Sequence, residues 1–170
     1  QGSPTGVFGQ VRSPDGWAGW FESAVGNGVY ISVPEGKSGL NVAAGTKNAV
    51  VATDDGARLM YVEEASEVWF ADYGFGRMVD GVAVVSMDAL FAQTVDLAAG
   101  YHVSVQVYGS AQVYVSARTG DGFEVRVRKG DPNVAFSYRL TARRAGYAEH
   151  RLERAPWADR DPNLFPDRSK

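Results

Sequence analysis

Residues able to do chemistry are few in this chain, and they are scattered. His102 and His150 are the only histidines, far apart in sequence, and neither stands in a metal spacing such as His-x-x-x-His. There is no cysteine, which removes a thiol nucleophile, a disulfide framework, an iron–sulfur cluster and a Cys-type zinc site. Serine and aspartate are common, yet no Gly-x-Ser-x-Gly elbow presents a nucleophile. The adjacent carboxylates Asp54-Asp55 and Glu63-Glu64 would point to opposite faces of a strand and do not converge on one substrate atom. A glycosidase pair must sit ~5–9 Å apart across a cleft, and Asp121 with Glu124 would meet that only by an accident of folding. Turn and edge charges that discourage aggregation are the favoured reading of these acids.

Two partial motifs fail on inspection. Gly36-Lys37-Ser38 ends like a phosphate loop, but Ile31 stands where the first glycine belongs and Pro34 interrupts the run; a turn after a strand at Val29–Val33 is favoured. Asp159-Arg160-Asp161-Pro162-Asn163 offers the first three ligand positions of a calcium loop, but Leu164 replaces the glycine and Lys170 the final glutamate. An EF-hand is excluded, and a solvated acidic tail is favoured over a looser calcium site. The expectation is therefore no catalytic residue, no resident metal, no cofactor and no enzyme activity.

Binding chemistry is better represented. Arg126, Arg128, Arg139, Arg143 and Arg144 fall on the polar phase of the last strands, with Arg126 and Arg128 expected across from Arg139 and Arg143. With Tyr108 and Tyr114, the arginines Arg126, Arg128 and Arg139 form a candidate ligand surface for an anionic glycan or phosphate. The plainer alternative is a solvated face or ion pairs with Glu124, Glu149 or Glu153. Trp17, Trp20 and Phe21 cluster in a glycine-rich stretch too thin to build a core. Exposed flat aromatics can grip sugar rings, but interchain packing is the simpler explanation. The candidate oligomer interface is Val7, Phe8, Trp17, Trp20, Phe21, Val29, Tyr30, Leu152, Trp157 and Phe165.

The elements that must position these residues divide the 170-residue chain into three zones. Residues 1–56 form a glycine-rich stem or assembly segment of short apolar bursts, with a Gly-Val-aromatic triplet at Gly6–Phe8 and again at Gly28–Tyr30. Residues 57–145 form a head. There, Tyr101–Tyr108, Val113–Ser116, Phe123–Arg128 and Phe136–Arg143 alternate with period two, the signature of strands with one buried face. Turns at Gly109-Ser110, Thr119–Gly122 and Gly130–Asn133 join them. Short turns between consecutive strands predict an antiparallel meander or sandwich. Earlier strands are expected at Ala49–Ala52, Leu59–Val62, Glu67–Phe70 and Val82–Met87. The last is nearly all apolar, which predicts burial on both faces. Asp88–Leu97 has helical spacing. Residues 146–170 form a charged tail with apolar anchors, expected to dock on the head or on a neighbouring subunit. The fold class is all-β.

Composition supports this division. Hydrophobic residues make up 45 %, so the chain has the material for a core despite its 20 glycines. A net charge of −3 argues against nucleic-acid partners, and no apolar run approaches the ~20 residues of a membrane-spanning helix. The opening Gln1-Gly2-Ser3-Pro4, without an initiator Met, reads as a processed product.

Gly6-Val7-Phe8-Gly9, Gly16–Phe21 (GWAGWF) and Gly28–Ile31 (GVYI) resemble the glycine-rich repeats in stems of phage tail fibres and of large bacterial fibre-like surface proteins. Glu67–Gly76 (EVWFADYGFG), Leu90–Val95 (LFAQTV), Tyr114–Arg126 and Phe136–Arg144 resemble the terminal domain that such bacterial proteins carry. The resemblance implies a homotrimeric, intertwined fibre protein at the cell surface or on a virion-like fibre, structural and adhesive in function. The motif of a self-cleaving chaperone domain is absent. Three readings stay open beside the trimer. One is a carbohydrate-binding module that uses exposed aromatics. Another is a hydrolase with an intersubunit site. The third is an open filament in which one subunit's N-terminal segment completes the next subunit's sheet.

Overall fold

The computed structural model describes residues 6–34, 37–42 and 45–154. The chain divides into two compact units, Gln1–Asn41 and Val42–Lys170. The second unit is mostly β, with eight antiparallel strands in three small sheets and one short helix. In chain order these are β1 (Asn48–Thr53), β2 (Gly56–Tyr61), β3 (Trp69–Arg77), β4 (Val82–Ser86), α1 (Ala89–Thr94), β5 (Tyr101–Val107), β6 (Ala111–Thr119), β7 (Gly122–Gly130) and β8 (Ala135–Arg143). The sheets are β1-β2, β3-β8-β5 and β4-β7-β6.

The two three-stranded sheets share one hydrophobic core. Phe136, Leu140 and Ala142 of β8, Tyr101 of β5, and Phe123 and Val125 of β7 are buried together with Met78, Val95 and Val134. The Phe123 ring of one sheet meets the Tyr138 ring of the other edge-on, with centroids 5.2 Å apart. Both central strands, β7 and β8, come last in sequence, so neither sheet is complete until the chain is nearly finished. Helix α1 covers one end of this core with Phe91. Its start is fixed by Asp88, whose carboxylate accepts from the N–H groups of Leu90 (2.8 Å) and Phe91 (2.9 Å).

Period two correctly marks the head strands, but they do not form the expected meander. Only β1–β2 and β6–β7 are sequential neighbours; β3–β4, β5–β6 and β7–β8 each step from one sheet to the other. Each strand has one apolar face, and two such faces are hidden only when opposed. The tight corner at Met78–Gly81 makes one of these steps. Asp80 and Gly81 take φ of 51° and 84° there, and Val79 and Val82 exchange both backbone hydrogen bonds (2.9 and 3.1 Å). The turn before β8 ties to this corner, with Gly81 N–H donating to Pro132 O (2.8 Å) and Arg77 to Asn133 O (2.9 Å).

Two further expectations are corrected. The run Val82–Ser86 is not buried on both faces, because β4 is an edge strand whose outward Val84 is 74 % exposed. The strand expected at Glu67–Phe70 continues through the glycines to Arg77. The glycine-rich segment before 48 is expected to build β structure with other chains, and among its described residues no strand forms within this one. Its bursts find no ladder partner, and glycine raises the entropy cost of ordering them.

The glycines of β3 have a packing reason. Gly74 lies opposite Tyr138 and Gly76 opposite Phe136, and the two rings fill the space that a Cβ at either glycine would need. Phe136 is fully buried and has no room to yield. Gly76→Ala is therefore expected to cost about 1–3 kcal/mol by overpacking, measured as a lower denaturant midpoint. Gly120→Ala, where a Cβ meets nothing within 4 Å, should be much milder; equal effects would refute this account.

Candidate functional site

The outer face of β3-β8-β5 gathers most of the head's exposed aromatics. Because Gly74 and Gly76 point inward against rings, Trp69, Tyr73 and Phe75 point outward. Register places Tyr73 beside Arg139 and Ser104 in one row, and Phe75 beside Ser137 and Gln106 in the next. Tyr108 adds a third ring, its hydroxyl bonded to Ser137 Oγ at 2.8 Å. Tyr73, Phe75, Ser104, Gln106, Tyr108, Ser137 and Arg139 line an open hollow of about 400 Å³. Phe75 is 82 % exposed and Tyr73 64 %.

The arginines of β8 serve these rings. Arg139 lies over the Tyr73 ring (5.7 Å to the centroid) and pairs with Glu63 at 3.2 Å. Arg143 lies over Trp69 (5.9 Å) and pairs with Glu67 at 3.4 Å. Arg144 stacks on Phe70 (5.3 Å) and Tyr147 (4.4 Å). His102, on the exposed phase of β5, rests against Trp69 with ring centroids 5.4 Å apart. Arg139 and Arg143 are each held between an aromatic face and a carboxylate, and Arg143 shares Glu67 with Arg151, so these pairs orient the side chains without cancelling the positive charge of the face.

The proposed ligand surface is thereby divided. Tyr108 and Arg139 lie on this face, whereas Tyr114, Arg126 and Arg128 lie on the outer face of β4-β7-β6. Arg126 and Arg128 are not across from Arg139 and Arg143, because β7 and β8 belong to different sheets. On the second face, Tyr114 sits opposite Arg126. Glu124 accepts from Arg126 Nε and from Ser116 Oγ, each at 2.6 Å. Ser116 reaches it because a bulge between Val115 and Ala117 leaves this residue without a ladder partner. Arg128 is exposed beside Gln112 and Tyr114 at a second open hollow.

The interface residues are placed as follows. Val7, Phe8, Trp17, Trp20, Phe21, Val29 and Tyr30 are all exposed, with Trp17 and Trp20 edge-on at 5.8 Å. Leu152 is exposed, although its backbone N–H donates to Ser66 O (3.0 Å) and Arg151 pairs with Glu67 (3.5 Å), so the start of the tail docks on its own chain. Trp157, Phe165 and the Asp159–Asn163 carboxylates lie outside the described residues. Among the described residues, no three His, Asp or Glu side chains gather as a metal site, and no helix is long and apolar enough to cross a membrane.

No family model, curated protein or solved structure matches this chain. Its function must be read from the geometry.

The expected strand ends at Phe70, so Tyr73 and Phe75 fall outside it, and none of Trp69, Tyr73 and Phe75 stands among the candidate site residues. Their signal was alternation: every second residue from Trp69 to Phe75 is outward, and all but Ala71 are aromatic. Val50, Leu59 and Tyr61 fall in expected strands and are exposed.

Glu124 gives a pH-dependent prediction. Its bonds from Arg126 and Ser116 hold its carboxyl below the ordinary 4.5. A depressed carboxyl contributes stability above pH 4.5 and loses it as pH falls through the lowered value. The Tm difference between wild type and Glu124→Gln should be small but present at neutral pH, since the pair is solvent-screened. It should close below pH 4.5; a difference unchanged by acid would contradict the assignment.

Proposed function

We propose that this protein is a structural and adhesive component of an extracellular fibre, built by association of its own chains into an intertwined homotrimer. The observation that carries this reading is the β1–β2 hairpin, in which every residue of both strands is exposed. Register puts Val50 and Leu59 opposite each other, with Tyr61 on the same face, and Val51 and Met60 on the other. A two-stranded ribbon is marginal in water without a surface to pack on, and this one carries apolar side chains on both faces. Further copies of the chain would cover it.

The first unit fits the same reading. Phe8, Trp17, Trp20, Phe21 and Tyr30 are large, exposed and set in glycine-rich chain. Such side chains are suited to interchain packing. The stem-like repeats and the head segments Glu67–Gly76, Leu90–Val95, Tyr114–Arg126 and Phe136–Arg144 resemble fibre proteins, which adds to this support. With no cysteine, durability outside the cell would rest on β packing between chains. A second reading, the open filament, is favoured by one observation. Edge strands β3 and β4 flank a groove lined by Phe75, Val79 and Val84, where a strand of another copy could add to a sheet.

The purified chain should sediment as a trimer at micromolar concentration, and a monodisperse monomer would overturn the proposal. Val50→Asp with Leu59→Asp should dissociate it while leaving the circular dichroism of the head unchanged. Electron microscopy separates closed particles from filaments.

A further inference from the structure

We infer that the hollow on the outer face of β3-β8-β5 binds a neutral saccharide. A sugar ring has an apolar C–H face and a hydroxyl-bearing edge, and this site presents both complements side by side. Tyr73 and Phe75 supply exposed aromatic planes on β3. Beside them Ser137 on β8, and across β8 Ser104 and Gln106 on β5, supply polar side chains that line the same hollow. Tyr108 closes the polar side with its hydroxyl already oriented by Ser137.

The surroundings select among ligands. An anionic sugar would want an unanswered cation, but Arg139, the cation lining this hollow, is already paired with Glu63 and laid over Tyr73. A neutral ligand loses nothing by that pairing. A flat protein partner would meet a concave surface whose polar half is Ser and Gln, and serine is depleted at the cores of protein interfaces. The hollow, about 400 Å³, falls within the ~300–1,000 Å³ range of small-molecule sites. Two of the three rings have a partner before any ligand arrives, Tyr73 in Arg139 and Tyr108 in Ser137, which lowers the side-chain ordering that opposes binding. The hollow is formed within one chain, so this inference stands or falls separately from the trimer.

The test is a glycan array carrying neutral and acidic (sialylated and sulfated) oligosaccharides, probed with the full chain. Affinity for any neutral hit would be measured by titration, and sedimentation would be run alongside. Wild type is expected to bind at least one neutral oligosaccharide. Tyr73→Ala should weaken that binding about tenfold, the scale of one lost stacking contact, without changing sedimentation. Phe75→Ala should act in the same direction, and Arg128→Ala, on the other sheet, should leave binding intact. Binding to no neutral glycan would overturn the inference, as would preference for acidic glycans or a neutral hit indifferent to Tyr73→Ala and Phe75→Ala. If Tyr73→Ala instead dissociates the assembly, the face is a subunit interface and the inference is wrong, while the self-assembly reading survives.

Discussion

The head depends on hiding two apolar sheet faces against each other. Neither three-stranded sheet buries anything alone. Phe136 and Leu140 of one and Phe123 and Val125 of the other share a single core. The Tyr101 hydroxyl reaches across from β5 to the carbonyls of Gly122 and, at 3.0 Å, Thr119 in the β6–β7 hairpin. This joins the sheets with a polar contact at the edge of an apolar core. Burial raises the Tyr101 phenol's pKa.

The outer surface follows from that constraint. Large rings on β8 turned into the core require glycine opposite them on β3, and the alternating phase of β3 then carries Trp69, Tyr73 and Phe75 outward. The arginines of β8 occupy its outward phase and lie over those rings, with Glu63 and Glu67 supplied from the segment before β3. Core packing and the outward aromatic face are two phases of one strand pair. Exposed ion pairs add little stability on their own; here they fix orientation.

The same economy leaves edges. Four of the six head strands are edges of their sheets, and the β1–β2 ribbon has no covered face. Exposed edges and apolar ribbons are liabilities for a lone chain, which become useful when assembly is the function. The proposed β1–β2 contacts and the proposed saccharide hollow use different strands, whereas the open-filament groove shares Phe75 with the hollow, so a strand added there would compete with a sugar.

Much of the secondary structure was legible. Period two marked β5 to β8, helical spacing within Asp88–Leu97 marked α1, and glycine-rich turn clusters marked the reversals. The sequence by itself determined which residues alternate and where the chain reverses, since these depend on local stereochemistry and the side-chain period. Which sheet each strand joins was decided by tertiary structure alone. A short turn fits either a hairpin or a step to the opposite sheet, and only the burial of both apolar faces selects between them. That selection separated Arg126 and Arg128 from Arg139 and uncovered Val84. It also carried the strand expected to end at Phe70 on through Gly74 and Gly76, so that it presents Tyr73 and Phe75.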